Sequence, residues 1–375
     1  MSPTRRDALV RGAGAVAAVT AVGGTLAGRT PPPVPATVPG DADARIGFVG
    51  DVMLGRNVDD RWSADGVEPA GVWGGTLDDL RALDGLLLNF EGTISARGER
   101  RPDRTYYFRA DPSWAIPALE AANTAYASLA NNHLLDYGPV ALHDTVDHLS
   151  EAGIANAGAG ADAAAARAPT VATVGDLDVG VLALTDQSRS YRAGPNSPGT
   201  AWLPLDPGNP ETRRRAAAAL GAIHGRDPDL VVASLHWGPN WEVRTSAVQR
   251  AFARWLIDRG VDVVHGHSAH VLQGIDVYRG RPILYDLGDY VDDYLIKDDF
   301  HNDRSVRVEL VVEDGVLDRL LVVPVRIVDE RVEPATGDVA AWVRERVRSL
   351  SGDFGTTVER DGQHIVIPLT EERTR

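Results

Sequence analysis

The sequence predicts an α/β fold of two packed sheets flanked by helices, and three observations lead to that reading. Short runs of four to six apolar residues alternate with amphipathic stretches from Arg45 onward, the pattern of buried strands covered by helices. Beyond about residue 270 strands dominate and helices become scarce, which predicts a second, largely antiparallel or mixed sheet. The 375 residues contain no cysteine, so neither disulfides nor Cys-ligated zinc hold the fold.

In order, the strand candidates are Ile46 to Val49, Leu86 to Leu88, Ala125 to Leu129, Val179 to Leu184, Val231 to Leu235 and Val261 to Val264. The helical patterns between them are Leu77 to Leu83, Trp114 to Ala121, Ala141 to Ala152, Thr212 to Ile223 and Ala247 to Arg259. The late strands are expected at Val271 to Tyr278, Pro282 to Leu287, Val306 to Val312 and Leu320 to Val328. Together these define one domain over residues 45–330. Residues 331–375 read as an extension made of a helix, Val339 to Leu350, and a strand near Ile365 to Ile367.

The first 44 residues read differently. Arg5-Arg6 precede an uncharged Gly/Ala/Val run from Gly12 to Gly28, a pattern like a twin-arginine export signal over residues 1–30. That run is short and weakly apolar for a spanning helix. The proline-rich segment 31–44 reads as a semi-rigid spacer. The expected location is the extracytoplasmic cell envelope, and an uncleaved signal would tether the chain to the membrane.

Composition narrows the functional classes. The formal charge is −15, from 38 basic and 53 acidic residues. Such a balance argues against nucleic-acid binding, which needs a clustered basic face. An anionic substrate would need a local positive patch to overcome the overall field. Arg56 and Arg109 are the candidates for that patch, because guanidinium suits carboxylate and phosphate; Arg104 reads instead as a surface salt-bridging residue.

Polar residues at strand ends carry the chemistry. Asp51 follows the first run, Glu91 the second, Asn131-Asn132-His133 the third and His236 the fifth. His265, His267 and His270 follow the sixth. The carboxyl ends of parallel strands share one sheet edge, so these residues should converge. Imidazole, carboxylate and carboxamide donors without sulfur suit zinc, manganese, iron or magnesium. More than four donors exceed the needs of one tetrahedral ion, which points to two divalent ions. The candidate ligands are Asp51, Glu91, Asn131, Asn132, His236, His265, His267 and His270. His133 is expected to transfer a proton, with Asp51 beside it in the catalytic set.

The stretches GDVMLGR (Gly50–Arg56), NFEG (Asn89–Gly92), LANNHLLDYG (Leu129–Gly138), HWGPNWE (His236–Glu242) and Gly266–Tyr290 resemble the successive motifs of the CapA-type capsule-synthesis family. The resemblance covers about residues 45–310. It implies a calcineurin-like metallophosphoesterase fold, a two-sheet sandwich flanked by helices (α/β/β/α), and a role in poly-γ-glutamate capsule biosynthesis. It places Asp51 at the first-motif aspartate, Glu91 at the bridging acid, Asn132 at the carboxamide ligand, His236, His267 and His270 at the imidazole ligands, and His133 at the proton-transfer position. The ligands it implies are therefore these residues without His133, six in all. It also shows a departure, since Met53 stands where metallophosphoesterases carry a ligating histidine. Asp286 and Asp289 stand where many relatives have Ser and Asn, and Asp292-Asp293 read as a solvated loop. Trp237 and Glu242, beside His236, are expected to contact substrate, with packing of the His236 loop as Trp237's other reading. Two functions follow. One is a metal-dependent hydrolase of a phosphoester or an amide or isopeptide bond in an anionic envelope polymer. The other is a non-catalytic polymer-binding or export factor with structural metals. The donor set favours the hydrolase.

Overall fold

The computed structural model describes Thr37, residues 43–102 and residues 104–370. The export-signal and most of the spacer reading therefore lie outside the described residues.

The strands of the two main sheets are β1 (Ala44–Val52), β2 (Gly85–Phe90), β3 (Thr124–Ser128), β4 (Ala155–Ala157), β5 (Thr170–Val174), β6 (Leu177–Thr185), β7 (Leu230–His236) and β8 (Val263–His267). They continue as β9 (Ile275–Tyr278), β10 (Arg281–Leu284), β11 (Asp289–Val291), β12 (Arg304–Glu313), β13 (Val316–Ile327), β14 (Val332–Pro334), β15 (Glu359–Asp361) and β16 (His364–Pro368). The longer helices are α1 (Pro112–Ala121), α2 (Gly138–Glu151), α3 (Pro210–His224), α4 (Ala247–Ile257) and α5 (Gly337–Gly352). A ten-stranded sheet runs β15–β16–β13–β12–β1–β2–β3–β4, with β11 beside β1 and β14 beside β13. A six-stranded sheet runs β9–β10–β8–β7–β6–β5. This is the two-sheet α/β sandwich that the sequence predicts.

Alternation of side chains explains the layering. On β6, Val179, Val181 and Ala183 join Ile46, Phe48, Val232 and Val263 in a core between the sheets. Leu182 and Leu184, on its other face, pack with Ala216, Leu220, Phe252 and Leu256 of α3 and α4. On the ten-stranded sheet, Leu87 faces the inner core. Leu86 and Leu88 pack outward on Trp114, Ala118 and Leu119 of α1. A strand whose successive residues enter two different apolar layers must be apolar throughout, hence the unbroken runs in the sequence. Each fully buried Val, Leu or Phe contributes roughly 1.5–3 kcal/mol before entropy is counted.

Helix starts follow local chemistry. Asp111 caps α1 by accepting from Ser113 N, with Pro112 behind it. Ser246 and Gln249 form a reciprocal capping box at α4, which satisfies two backbone donors that the helix itself cannot.

The late strands do not form a sheet of their own, contrary to expectation. β9 and β10 extend the sheet of β6–β8, while β12, β13 and β16 extend the sheet of β1. The reason lies at β1, whose parallel partner β2 uses only one row of its backbone groups. β12 takes the other row, antiparallel, from Ala44↔Val312 to Phe48↔Val308, so β1 is central and has no open edge. The final strand β16 pairs with β13, which builds part of residues 331–375 into that same sheet.

Candidate functional site

Parallel pairing brings the strand ends together. Asp51 stands opposite Asn89 of β2 in register and opposite Asp289 of β11. His236 and His267 are register partners on β7 and β8. His265 Nε2 donates to Val49 O (2.8 Å), a hydrogen bond that ties the two sheets together behind the site. Asp51, Glu91, His236, His267 and His270 are all at most 1% exposed. Side chains separated by more than 200 residues thus share one buried cluster.

The cluster holds two groups of three donors. Asp51, His236 and His267 have ligand atoms within 4.8 Å of one another, as do Asp51, His270 and Asp289. Asp51 belongs to both. Its Oδ1 faces His236 Nδ1 (3.9 Å) and His267 Nδ1 (3.8 Å), and its Oδ2 faces His270 Nδ1 (3.4 Å). The acid common to both groups is therefore Asp51, whereas the resemblance assigned the bridging place to Glu91. Glu91 sits to one side, its Oε1 3.7 Å from His133 Nε2 and 3.9 Å from His236 Nε2. Asn132 is close, accepting from His236 Nε2 at 2.9 Å. Of the six expected ligands, all six lie in or against the cluster.

Surrounding groups orient the donors. Asn89 Nδ2 donates to Asp51 Oδ1 (2.7 Å), and Ser268 N to Asp51 Oδ2 (3.0 Å). Ser234 Oγ lies 3.0 Å from His267 Nε2, and His270 Nδ1 donates to Asp289 Oδ1 (2.8 Å). Ser268 and His270 both have left-handed backbone, with φ of 110° and 58°. Such a conformation is costly for a residue with a Cβ, and here it turns the chain so that a backbone donor and an imidazole both face Asp51. Glycines permit the close approaches. A Cβ on Gly50 would lie 1.8 Å from Gly288 O, and one on Gly266 would lie 2.1 Å from Tyr285 O.

The electrostatics are those of crowded, desolvated donors. Burial pushes His236 down to about 3 and His265 to about 4. Burial, with His236 alongside, holds His267 well below the ordinary imidazole range. Burial would also lower His270, but the carboxylates of Asp289 and Glu91 outweigh it and raise His270 well above that range. Burial would raise Asp51, but the hydrogen bond from His270 and the nearby imidazoles hold it low. Burial and the Asp51 charge push Glu91 and Asp286 well up. Both Glu91 oxygens and Asp289 Oδ2 are buried without a hydrogen-bond partner. An unpartnered buried carboxylate is expensive, and a cation would relieve it. The residues fit divalent ions by this test and by donor chemistry.

Met53 is fully buried, and its N–H donates to Val291 O at 2.9 Å. The donor missing at that position has a counterpart in Asp289, on a strand laid against Asp51. Sequence reading gave Asp289 no role because β11 is three residues long and follows a loop. Asp292, expected in a solvated loop, is 3% exposed, and Asp293 pairs with Arg56 Nε at 3.2 Å.

His133 stands at the edge of the cluster. Its Nδ1 donates to Asp136 Oδ2 (2.7 Å). Asp136 also accepts from Phe108 N (3.0 Å) and Tyr191 Oη (3.0 Å) and lies 3.4 Å from Arg104 Nε. With Nδ1 so engaged, Nε2 faces Glu91. Burial lowers the His133 pKa against the pull of Asp136. Asp136 went unrecognised in the sequence, although its spacing three residues after His133 was visible.

A cavity of 670 Å³ opens beside His133 and Asn132, lined also by Arg56, Arg104, Tyr106, Trp241, Tyr294 and Lys297. Arg56 is where the sequence put it. Arg109 is not: it stacks on Tyr137 at 4.1 Å and donates to the carbonyls of Arg97 and Gly98. Arg104, expected as a surface salt-bridging residue, takes the place expected of Arg109: it lines the cavity and donates to Asn132 O at 2.8 Å. Trp237 is 1% exposed, stacked on Tyr285, and donates to Tyr285 O at 3.1 Å, so it packs the loop from behind. Of these two tryptophans, Trp241 is the one at the cavity. Glu242 is exposed, outside the cavity lining, and its carbonyl accepts from Gln273.

Comparison with known proteins gives the following. Residues 45–294 match the family model described as "Bacterial capsule synthesis protein PGA_cap". A protein of Mycobacterium tuberculosis named "Probable polyglutamine synthesis accessory protein" is 37% identical over 82% of this chain and 91% of its own length. "PGA biosynthesis protein CapA" of Bacillus subtilis is 30% identical over 66% of this chain and 62% of its own. A solved 5′-nucleotidase of Candida albicans aligns with a TM-score of 0.43 at 8% identity, over 84% of this chain and 60% of that one; a likeness so loose has no bearing on function.

Proposed function

We propose that this chain, which belongs to the bacterial capsule synthesis protein family PGA_cap, acts outside the cytoplasm as a metal-dependent hydrolase on an ester or amide bond of an anionic envelope polymer. The observation that carries the proposal is the pair of donor groups sharing Asp51, with the unpartnered carboxylate of Glu91 beside them. Asp51, His236 and His267 would hold one divalent ion, and Asp51, His270 and Asp289 a second, with Glu91 and Asn132 at hand. Ions bound there would supply Lewis-acid charge to a phosphoryl or carbonyl centre.

The remaining work falls to the chain. His133 keeps its Nδ1 proton on Asp136, so Nε2 can accept a proton from a reacting oxygen and return it to the leaving group. Arg104, held by Asn132 O and Asp136, places a positive charge next to that nitrogen. The cavity beside His133 admits the substrate. Its positive lining offsets the repulsion of a chain with net charge −15. The extracytoplasmic setting rests on Arg5-Arg6 ahead of the uncharged run. Among the described residues no helix is long and apolar enough to cross a membrane.

The test is elemental analysis of the purified chain, with hydrolysis assayed on generic phosphodiesters and γ-linked glutamyl polymers. Divalent metal that is lost in Asp51→Asn, together with turnover that is lost in His133→Ala, is the expected result. Turnover unaffected by thorough chelation would overturn it. Met53 favours a second reading, a polymer-binding factor with structural metals. That reading expects polymer binding without turnover, and binding that survives His133→Ala.

A further inference from the structure

The cavity beside His133 carries three cations, Arg56, Arg104 and Lys297, and no Asp or Glu among its described lining residues. Arg104 is committed to Asn132, Asp136 and Ser188. The other two are not. Arg56 gives its Nε to Asp293, but its Nη1 is buried without a partner. Its guanidinium sits among the rings of Tyr106, Phe108 and Tyr294, at 5.7, 5.2 and 5.8 Å. Lys297 Nζ lies 3.7 Å from the centroid of the Trp241 ring and makes no ion pair among the described residues.

These two cations stand one aromatic layer from the metal-donor cluster. Trp241 and Tyr294 contact each other (5.8 Å), and each contacts the His270 ring, at 5.5 and 5.3 Å. The same two rings also carry Lys297, on Trp241, and Arg56, on Tyr294. The backbone at Arg56 and Trp241 is left-handed, with φ of 60° and 67°, a cost incurred at both ends of this arrangement. A planar guanidinium with a free buried N–H and an ammonium held on an aromatic face are both anion receptors.

We propose that Arg56 and Lys297, on the Trp241–Tyr294 platform, form a second anion-binding subsite. It grips a negatively charged group of the substrate one layer away from the bond that reacts. The proposal rests on the reading of the Asp51 cluster as the reacting centre, and it adds to that reading a substrate with at least two anionic groups. The rings between the two sites would pack on the uncharged stretch joining those groups. Carboxylate and phosphate both fit the two cations.

The experiment measures binding to the full chain as purified, by quenching of tryptophan fluorescence and by calorimetry. The probes are glutamate, γ-linked tetraglutamate, glycerol phosphate and a glycerol-phosphate tetramer. One of the tetramers is expected to bind at least about tenfold tighter than its monomer. Lys297→Gln and Arg56→Gln should each lower that tetramer's affinity about 5- to 20-fold, Lys297→Arg should retain most of it, and added salt should shrink the difference. The tetramer that responds names the anion. Equal affinity for monomers and tetramers, or tetramer binding indifferent to Lys297→Gln, would overturn the proposal. Lys297-dependent binding without turnover would sink the hydrolytic reading and leave the subsite standing. Turnover with binding indifferent to Lys297 would do the reverse.

Discussion

Replacing Glu91 with methionine should stabilise the metal-stripped protein while weakening its grip on metal. Glu91 is fully buried, and neither of its carboxylate oxygens has a hydrogen-bond partner in the protein. Each such orphaned polar atom costs about 1–3 kcal/mol, and an uncompensated buried charge costs more. Methionine has nearly the same volume and needs no partner, so the stripped variant should gain about 2 kcal/mol. At ~2.1 cal/mol/K per residue over roughly 330 residues, the unfolding entropy is ~0.7 kcal/mol/K, and that gain raises Tm by about 3 °C. Divalent metal at about 100 times the wild-type Kd adds ~2.7 kcal/mol, or about 4 °C, to the wild type, and it should reverse the order if the substitution raises the variant's Kd about 100-fold. Calorimetric melts of both proteins, with chelator and with manganese or zinc, read all four values. A stripped Glu91→Met that melts at or below wild type would refute the reasoning. So would a variant whose Tm rises with metal as far as that of the wild type.

Other outcomes follow from the same geometry. Asp51→Asn should abolish binding at both donor groups, whereas Asp289→Asn should spare the His236–His267 group, so metal counts by elemental analysis should fall by two and by one. Asp136→Asn should lower kcat about 10- to 100-fold, because it frees His133 Nδ1; an unchanged kcat would remove Asp136 from the mechanism. Gly50→Ala should cost about 3 kcal/mol or more, since its Cβ would meet Gly288 O at 1.8 Å; a near-normal denaturant midpoint would contradict this. Asp144 is held low by the hydrogen bond from Arg97 and, beyond it, Ser95. Its contribution is therefore present above the unfolded-state carboxyl pKa and fades as pH falls through the depressed folded value. With Arg97 largely exposed, Asp144→Asn should cost at most about 1 kcal/mol at pH 7 and nothing near pH 2, as paired urea titrations at the two pH values would read.

The sequence exposes most of the cluster because parallel strands deliver their ends to one edge. Asp51, His236 and His267 needed only that rule. Glu91 and Asn132 needed it together with the short loops that follow their strands. Three features were out of reach for identifiable reasons. Asp289 belongs to a three-residue strand whose pairing with β1 is a long-range event without a local pattern. Arg104 and Arg109 lie five residues apart in one short segment, and only the tertiary path decides which guanidinium meets Asn132. Trp237 and Trp241 flank one motif symmetrically in sequence, but the first turns toward Tyr285 and the second toward the cavity. The late strands misled for a related reason. A strand's own residues specify its apolar faces, whereas its sheet is chosen by whichever neighbour still has unpaired backbone groups.

The central place of β1 has a bearing on biosynthesis. Its flanks are claimed by β2, within about the next forty residues, by β11 some 240 residues later, and by β12 some 260 residues later. While the ribosome is still making the middle of the polypeptide, the first strand has only half of its ladder, and Asp51 lacks the imidazoles and carboxylate that complete both donor groups. Topology this non-local folds slowly. The donor group of Asp51, His270 and Asp289 is therefore complete only once translation has passed residue 291, and a nascent fragment released earlier would emerge without it.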